Sequence, residues 1–289
     1  MRLFLTGGHG FLGRYLVPVL APEHELSVPT HADLDITDGE KVAAAIAAFR
    51  PHVVVHLAAR CGAAPSVAEP HEFFRVNAQG TVDVLEACRQ ARVRGFLFTS
   101  SMTVFGAGEE AMAPEAPFAP RHPYAAAKAA AELAVGSYVR SQGLAAVVLR
   151  PTLVVGEGYR EPHAIGDFVE TVRRGATIEL FGSGAHRRDF IHPEDVARAM
   201  ARAVERLADM GAGQSWSANL SNDEPVAMSA LADLVIATCG RGAKHFAAPT
   251  AQTFSLFAST QAARERLDFR PAVSCRQIIE RLWRGGARA

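Results

Sequence analysis

The chain is poor in cysteine and carries no excess of charge of either sign. Thirty basic residues balance thirty acidic ones in a chain of 289 residues, so no net field attracts it to nucleic acid or to an anionic membrane. The four cysteines are far apart and show neither C-x-x-C nor a metal-like His/Cys spacing. We therefore expect no metal centre, and we expect free thiols in a reducing compartment at Cys61, Cys88, Cys239 and Cys275.

The sequence also lacks segments directed to a membrane. No apolar run reaches the length of a transmembrane helix. Glycines interrupt the apolar start MRLFLTGGHGFLG, which does not have the layout of a signal peptide. The length fits one large α/β domain, or such a domain with a smaller companion. These absences favour a cytoplasmic protein.

Lysine is scarce as well, with only Lys41, Lys128 and Lys244 among the thirty basic residues. Lys128 follows Tyr124 by four residues in HPYAAAKAAAE, a spacing that places both side chains on one face of a helix. Tyrosine titrates near pH ~10 and is a poor base at neutrality, but a neighbouring ammonium group favours the phenolate. The pair therefore indicates acid–base chemistry. The alternative is an exposed tyrosine on an alanine-rich surface helix.

A glycine-rich segment follows the first predicted strand, Arg2 to Thr6, and precedes a helical stretch. Its glycines have the spacing G-x-x-G-x-x-G. A strand, a glycine loop and a helix in this order let the backbone approach a pyrophosphate and point helix amides at it. We therefore expect a dinucleotide site formed by Gly7, Gly10, Phe11, Leu12 and Gly13.

Apolar strands and helices continue to alternate through the first half. The predicted strands comprise residues 25–29, 53–58, 95–100 and 145–149, and the predicted helices comprise residues 38–50, 72–92 and 123–141. Strands that are apolar throughout and separated by helices indicate an α/β fold with a doubly wound parallel sheet of the Rossmann type. Ligands of such sheets lie beyond the carboxyl ends of the strands. Three polar motifs fall there: His56-Leu57-Ala58-Ala59, Thr99-Ser100-Ser101 and Arg150-Pro151.

Taken in chain order, these motifs resemble the extended short-chain dehydrogenase/reductases, in the NAD-dependent epimerase/dehydratase branch that acts largely on nucleotide-diphosphate sugars. The resemblance extends almost from end to end. Besides the glycine loop, it rests on Asp35-Ile36, His56-Leu57-Ala58-Ala59, Asn77-x-x-Gly80-Thr81, Thr99-Ser100-Ser101-x-x-Val104-Phe105-Gly106, Tyr124-x-x-x-Lys128, Arg150-Pro151, Arg188-Asp189-Phe190-Ile191-His192 and the closing element Ser259 to Pro271.

The resemblance implies three catalytic residues. Ser101 would hydrogen-bond the substrate oxygen that becomes a carbonyl oxygen, and Tyr124 would take or return the proton of that hydroxyl. Lys128 would bind the nicotinamide ribose and lower the pKa of Tyr124. Thr103 is a further candidate for contact with the substrate, whereas Thr99 or Ser100 is expected to pack at the end of its strand.

The resemblance also implies NAD as the cofactor. Asp35 and Ile36 would contact the adenine, although Asp35 could equally cap the helix that begins near Asp38. The second strand ends in Pro29-Thr30-His31, with neither the acid typical of NAD binding nor the arginine typical of NADP binding, so NADP is not excluded. Further contacts are expected from Leu57, Ala58, Ala59, Asn77, Thr99, Tyr124, Lys128 and Pro151.

Two positions narrow the reaction. Dehydratases of this branch carry Asp-Glu after the catalytic hydroxyl residue, because the elimination of water needs an extra acid and base. Here these positions are Met102 and Thr103, which argues against a 4,6-dehydratase. An epimerase that oxidises and reduces its substrate on a tightly held NAD remains, with an NAD(P)H-dependent ketoreductase as the alternative. A non-catalytic NAD(P)-binding sensor is a third class, but such proteins typically lose the tyrosine–lysine pair.

The resemblance divides the chain into two domains. Residues 1–156 and 189–221 would form the dinucleotide-binding domain, and residues 157–188 and 222–289 a smaller substrate-binding domain. Within the latter we predict a helix over 166–175 and a hairpin-like IELFGSG. Arg188 is the best candidate for a diphosphate clamp, because guanidinium offers a forked set of donors. Asp189 is expected to hold its loop, and His192 to cap the next helix.

Two departures leave the substrate open. The family usually shows Arg-x-x-Asn after the fifth large strand, where this chain has Leu153. It also shows a late Arg-x-Gly-Asp segment, where this chain has APTAQTFSLF. Either the diphosphate of a nucleotide sugar is held differently, or the substrate is a smaller carbonyl or hydroxyl compound. The resemblance further implies a homodimer formed through the helices 72–92 and 123–141, although the alanines of the second helix would also suit burial in a monomer.

Overall fold

The computed structural model describes residues 1–250 and 253–285 and is built around a central sheet. Its strands are β1 (Arg2–Thr6), β2 (Glu25–Ser27), β3 (Val53–His56), β4 (Gly95–Thr99), β5 (Ala145–Pro151), β6 (Leu153–Val154), β7 (Thr177–Phe181), β8 (Arg187–Arg188), β9 (Phe190–Ile191), β10 (Ser215–Leu220), β11 (Val226–Ala227) and β12 (Ala243–Ala247). Six of them form one sheet in the order β10-β5-β4-β3-β1-β2, with every pair parallel.

Helices separate these strands. They are α1 (Gly13–Leu20), α2 (Gly39–Phe49), α3 (Ala63–Ala68), α4 (Pro70–Phe74), α5 (Gly80–Gln90), α6 (Pro123–Gln142), α7 (Ala164–Arg173), α8 (Pro193–Asp209), α9 (Met228–Cys239), α10 (Gln261–Leu267) and α11 (Cys275–Arg284). Within the described ranges, no helix combines the length and the apolar character needed to cross a bilayer.

Helices cover both faces of the sheet, as the uniformly apolar strands predict. On one face α1, α8 and α10 pack through Leu16, Met200 and Leu267. On the other face α2, α5 and α6 pack through residues that include Ile46 and Val135. The prediction of a doubly wound parallel sheet is therefore confirmed. The arrangement brings the carboxyl ends of β1, β3, β4 and β5 to one edge.

The helix expected over residues 72–92 is interrupted. It starts at Pro70, as α4, and continues as α5 after a π-helical turn over Arg75–Gln79. Such a turn inserts a residue into the helical ladder and often lies at a functional site. Here it contains Asn77, whose side chain is buried.

A second, smaller core lies beyond the sheet. It joins α7, α9, α11 and β7, and includes Ile165, Leu231 and Ile278. The predicted hairpin in IELFGSG is wrong, because β7 pairs in parallel with the distant β12. Gly182 and Gly184, both at positive φ, carry the chain on toward β8 instead of folding it back on β7.

The domain boundaries predicted from the sequence do not coincide with the two cores, since Val155 and Phe190, which they assign to the dinucleotide-binding domain, lie in the second core. They assign residues 222–289 to the substrate domain, of which residues 286–289 lie outside the described residues. Within the described part, α10 packs on the large sheet through Ala263, Leu267 and Phe269. The chain therefore returns to the first core before α11 joins the second one.

Candidate active site

The glycine loop is shaped by close backbone contacts. Gly7 has φ +70°, and a Cβ there would lie 2.6 Å from the backbone nitrogen of Ala58. A Cβ on Gly13 would collide with the carbonyl oxygen of Gly8. Gly10 is exposed and donates its N–H to the Gly7 oxygen at 2.9 Å. The loop thus forms a cradle at the start of α1, which suits a pyrophosphate.

A buried histidine connects the strand ends beside this cradle. His56 lies 2.6 Å from the Thr6 hydroxyl through Nδ1 and 3.1 Å from the Thr81 hydroxyl through Nε2. Burial lowers the pKa of His56 to about 3, so the ring is neutral at physiological pH. Its role is to fix the ends of β1 and β3, where Leu57, Ala58 and Ala59 continue along the cleft as half-buried residues.

Asn77 holds the same loop from the π turn. Its Oδ1 accepts the N–H of Arg60 at 2.8 Å, and its Nδ2 donates to the Arg60 carbonyl oxygen at 2.9 Å. Because both ends of the amide bond the backbone of Arg60, the structure gives Asn77 the task of positioning residues 57–61. The predicted direct contact of Asn77 with the cofactor stays a prediction.

Asp35 and Ile36 lie between β2 and α2. Asp35 accepts bonds from the Thr37 N–H at 2.9 Å and hydroxyl at 2.8 Å, which lower the pKa of its carboxyl. The alternative that Asp35 caps α2 is wrong, since Asp38 accepts the N–H of Lys41 at 3.1 Å as the N-cap. Ile36 is buried against Gly80, and the predicted contacts of Asp35 and Ile36 with an adenine stay predictions.

An acid that the sequence analysis missed lies in the loop that follows β2. Asp33 accepts the N–H of Thr30 at 3.0 Å and its hydroxyl at 2.6 Å. These bonds lower the pKa of Asp33, and the carboxylate is exposed. The sequence signal for Asp33 was its spacing from Thr30, because an aspartate three residues after a threonine can close a short turn by accepting its N–H and hydroxyl.

Ser101 lies directly after β4 and begins a 3₁₀ turn over Met102–Phe105. Its Oγ is 2.9 Å from the hydroxyl of Thr103 and accepts the Thr103 N–H at 3.2 Å. Met102 is 1% exposed and packs with Val104 and Phe105. Position 102 therefore belongs to a hydrophobic cluster that would not accommodate a carboxylate without a partner.

Tyr124 and Lys128 lie on the first turns of α6, as the four-residue spacing predicts. His122 caps this helix by accepting the Ala125 N–H at 3.2 Å, and the rings of His122 and Tyr124 stack at 5.9 Å. Lys128 is buried, and its Nζ donates to the Thr99 carbonyl oxygen at 2.8 Å. The helix thereby turns both side chains toward the end of β4.

Burial has the largest effect on the electrostatics of this pair. Burial raises the pKa of Tyr124 well above 10.0, the nearby Cys61 raises it further, and a hydrogen bond from Ser101 lowers it. The Lys128 ammonium group donates to the Thr99 carbonyl oxygen, and its predicted lowering of the Tyr124 pKa stays a prediction. Burial also lowers the pKa of Lys128 to about 8.

Cys61 is a neighbour of Tyr124 that the sequence analysis treated as a plain free thiol. It is exposed to the cleft and lies on the loop that Asn77 holds. Surrounding protein nevertheless desolvates it, and the pKa of the Cys61 thiol is raised. The sequence signal that Cys61 could lie near the site was its position five residues after the carboxyl end of β3.

Thr99 and Pro151 lie where predicted, at the carboxyl ends of β4 and β5. Thr99 Oγ1 is buried and has no hydrogen-bond partner in the described part of the chain, which suits a hydroxyl that meets a bound cofactor. Ser100, in contrast, donates to Glu132 in a closed, buried cluster with Arg150. Of the two strand-end hydroxyls, Ser100 is therefore the structural one.

The loop after β6 links the cradle to the second core. Tyr159 packs on Phe11 with ring centroids 4.8 Å apart. Arg14 donates to the Gly158 carbonyl oxygen at 3.3 Å, and the Tyr15 hydroxyl donates to that of Glu157 at 3.1 Å. Phe11 thus serves as a contact between the glycine loop and residues 157–159, beside its predicted cofactor role.

Arg188 lies on β8, on the substrate side. Its guanidinium carbon is 4.1 Å from the ring centroid of Phe254. Burial lowers the pKa of Arg188 to about 10, and the group remains charged. Leu153, in the place of the expected asparagine, is 37% exposed.

The prediction that His192 caps the next helix is confirmed, since His192 is the N-cap of α8 and accepts the Glu194 N–H at 3.3 Å. Asp189, which was expected to hold its loop by local hydrogen bonds, accepts the N–H of the distant Asn222 at 3.1 Å and so connects its loop to a segment 33 positions away. In the residues that the structure describes, no group of three or more His, Cys, Asp or Glu side chains could hold a metal ion.

Comparisons with known proteins agree with this site. The model of the NAD dependent epimerase/dehydratase family matches residues 3–218. UDP-glucose 4-epimerase from Mycolicibacterium smegmatis is 33% identical over 230 residues, which are 70% of this chain and 73% of that protein. A dTDP-glucose 4,6-dehydratase from Streptomyces niveus is 28% identical over 306 residues, with 95% and 89% covered.

A solved structure shows the same fold. The UDP-glucose 4-epimerase from Thermus thermophilus, in complex with NAD, has a TM-score of 0.83 and 29% identity over 99% of this chain and 100% of that one. Its cofactor is the one that the glycine loop and its neighbours predict. The family model spans most of the chain, and the Mycolicibacterium smegmatis epimerase is 33% identical over more than two thirds of both proteins. The protein therefore belongs to the NAD dependent epimerase/dehydratase family.

Proposed function

We propose that the protein is an NAD-dependent epimerase that acts on a nucleotide-diphosphate sugar. One observation carries the proposal: Ser101, Tyr124 and Lys128 gather at the edge of the sheet beside the glycine cradle, while Met102 takes the place of a dehydratase acid inside a hydrophobic cluster. This set can move a proton at a hydroxyl, but it offers no carboxylate at position 102 for eliminating water.

The cofactor would be held by the strand ends. The Gly7–Gly13 cradle would receive the pyrophosphate, Asp35 the adenine, and Thr99 and Lys128 the nicotinamide half. When bound, NAD would accept a hydride from the substrate carbon and return it to the opposite face. The free Thr99 hydroxyl and the buried Lys128 ammonium group support this placement.

Tyr124 would carry the proton. In the oxidising half of the reaction its phenolate oxygen would take the proton of the substrate hydroxyl, and in the reducing half the phenol would return that proton to the carbonyl oxygen. Ser101 helps in both directions, because its hydroxyl stabilises the phenolate and thereby lowers the pKa of Tyr124.

We expect Lys128 to position the cofactor beside Tyr124 rather than to change the pKa of Tyr124. Its Nζ is anchored on the Thr99 carbonyl oxygen and lies 4.9 Å above the ring of Phe98. The two remaining N–H groups of the ammonium group can donate to ribose hydroxyls. The lysine would thus fix the nicotinamide half relative to Tyr124.

The test is turnover by the purified protein on UDP-, dTDP-, GDP- and CDP-hexoses without added cofactor. We expect interconversion of a pair of epimers on NAD that copurifies, and a loss of at least about 100-fold in rate for Tyr124→Phe. Accumulation of a dehydrated keto sugar, or no turnover on any sugar nucleotide or ketone, would contradict the proposal.

Leu153 supports a second candidate, a ketoreductase of a nucleotide sugar or of a smaller carbonyl compound. An exposed leucine where family members have asparagine favours a less polar ligand at that point. Stoichiometric consumption of added NADH or NADPH by a protein that copurifies without NAD would identify the reductase.

A further inference from the structure

Two arginines from distant parts of the chain meet on one aromatic ring. The guanidinium carbon of Arg121 lies 4.6 Å from the ring centroid of Phe254, and that of Arg188 lies 4.1 Å from it. Arg121 immediately precedes the His122 cap of α6, and Arg188 belongs to β8. The ring thus holds two cations that the sequence separates by more than sixty positions.

This arrangement concentrates positive charge. Like charges held close together repel, and the repulsion grows where water is partly excluded. Burial, together with the positive charge of Arg121, lowers the pKa of Arg188. Among the described residues, no carboxylate forms an ion pair with Arg121. An anion that both guanidinium groups contact would reduce this repulsion.

The pair lies beside the catalytic residues. Arg121 is three residues before Tyr124, at the same end of α6. Arg188 forms a bridge with Leu256, and Ser255 accepts the Gly108 N–H through its carbonyl oxygen at 2.9 Å. Residues 107–112 follow the 3₁₀ turn that begins at Ser101. Residues 255–256 therefore connect Arg188 to the segment that follows Ser101.

Phe254 comes from the segment in which the sequence departs from its family. APTAQTFSLF stands where relatives have the late Arg-x-Gly-Asp, and its residues Ala251 and Gln252 lie outside the described residues. In place of an arginine, this segment supplies a flat ring on which two arginines from elsewhere stack. Stacking restrains both guanidinium groups and reduces the entropy lost when they bind.

We propose that Arg121 and Arg188 together clamp the diphosphate of the substrate, with Phe254 as their shared support. Arg121 is thereby a substrate-binding residue that takes over from the missing late arginine. Each guanidinium fork can bond two oxygens of a phosphate group, so two forks match two phosphates. The inference rests on the proposed nucleotide-sugar substrate and assigns a residue outside the family motifs.

The test measures binding separately from turnover. Dissociation constants are determined by calorimetry for UDP, dTDP, GDP and CDP, for the corresponding nucleosides and for inorganic pyrophosphate. Arg121→Gln should weaken the tightest nucleoside diphosphate, and pyrophosphate, by about 10- to 100-fold while changing nucleoside binding by no more than about twofold. Phe254→Leu, which keeps both charges, should weaken the diphosphate by about 3- to 10-fold through lost stacking. NAD content and melting temperature should stay at wild-type values.

Arg140→Gln is the matched control, because Arg140 is an exposed arginine at the far end of the same helix. Equal diphosphate affinity in Arg121→Gln and Arg140→Gln would overturn the clamp, as would a wild-type protein that binds none of the diphosphates. If diphosphates bind through Arg121 and no epimer forms, the clamp stands and the proposed reaction fails. Should Arg121→Gln fail to fold, Arg121→Lys, which loses the fork but keeps the charge, and Phe254→Leu decide the matter.

Discussion

At the scale of single residues, burial shifts the pKa values of Tyr124 and Lys128, the proposed catalytic pair, more strongly than their mutual charge does. Tyr124 and Lys128 lie on one helix face, yet desolvation raises the pKa of the tyrosine and lowers that of the lysine. Desolvation penalises whichever form is charged, so the pKa of Tyr124 moves away from neutral pH and that of Lys128 moves toward it. The group that changes charge near physiological pH is therefore Lys128.

This shift predicts an alkaline limit to activity. With a pKa of about 8, Lys128 is charged below that pH and loses its charge above it, so kcat/KM should fall as the pH rises through about 8. Lys128→Arg keeps its charge, because guanidinium titrates above ~12, and should show a lower but flat rate between pH 7 and 10. The pH–rate profiles of both proteins provide the measurement.

Unfolding would not explain such a decline. A base whose pKa is lowered by folding binds more protons when unfolded, so its contribution to the free energy of unfolding grows as the pH rises from about 8 toward the unfolded value. A melting temperature that drops in parallel with kcat/KM above pH 8 would argue against Lys128 as the titrating group.

Asp33 predicts a preference for NAD over NADP. Its exposed carboxylate lies in the loop after β2, and the bonds from Thr30 lower its pKa and so keep it ionised. A negative charge on this loop would repel the 2′-phosphate of NADP. Asp33→Asn should improve the affinity for NADP relative to NAD by about tenfold, as measured by cofactor fluorescence titration. Glu40→Gln, an exposed acid on α2, should leave the ratio unchanged; a wild-type protein that already prefers NADP would refute the role of Asp33.

At the scale of secondary-structure elements, α6 is fixed to the sheet by a buried ion pair. Arg150 on β5 binds Glu132 on α6 through Nη2 at 2.6 Å and Nε at 2.9 Å, and both side chains are nearly inaccessible. Arg150 also donates to the Pro114 carbonyl oxygen at 2.9 Å. These bonds hold α6 at a fixed position relative to the sheet and thereby position Tyr124, which lies on the same helix.

Removing one partner should be costly. Glu132→Gln leaves the Arg150 charge buried without its counterion, and we expect a loss of about 3–5 kcal/mol in the free energy of unfolding. Arg89→Gln removes an exposed pair with Glu86 on α5 and should cost about 0–1 kcal/mol. Urea denaturation of the two variants tests the difference, and similar losses would show that the buried pair has no special role.

The elements that carry strong local signals could be predicted from the sequence. For α6, the predicted range 123–141 agrees with the observed Pro123–Gln142, because a proline at the first turn and a glycine after the last are strong local signals. The π turn around Asn77 and the parallel pairing of β7 with β12 could not, because both depend on partners far along the chain. The role of Arg150 was hidden for the same reason, although its motif was recognised.

At the scale of the whole molecule, the two cores are joined next to the cofactor cradle. Residues 157–159 contact Phe11, Arg14 and Tyr15, so the loop that leads to the second core lies directly against the glycine loop and the start of α1. The glycine loop and Ser101 could be located in the sequence because each follows a strand, and Tyr124 and Lys128 because their spacing places them on one face of a helix. The sequence did not reveal Arg121, Asp33 or Cys61, whose relation to the site arises only when loops from different strands meet, nor the return of α10 to the large sheet.

The solvent-facing side of α6 supports the expected homodimer. Leu133 is 63% exposed, and Ala126 and Ala130 precede it at positions that share its helix face. Small residues let two helices approach closely, and an exposed leucine provides apolar area that burial would stabilise. Light scattering should therefore give the mass of a dimer, and Leu133→Glu should give that of a monomer with unchanged circular dichroism. Val19→Glu, at a 44% exposed position on α1, should remain dimeric. A wild-type monomer at micromolar concentration, or a dimer that tolerates Leu133→Glu, would place the interface elsewhere or remove it.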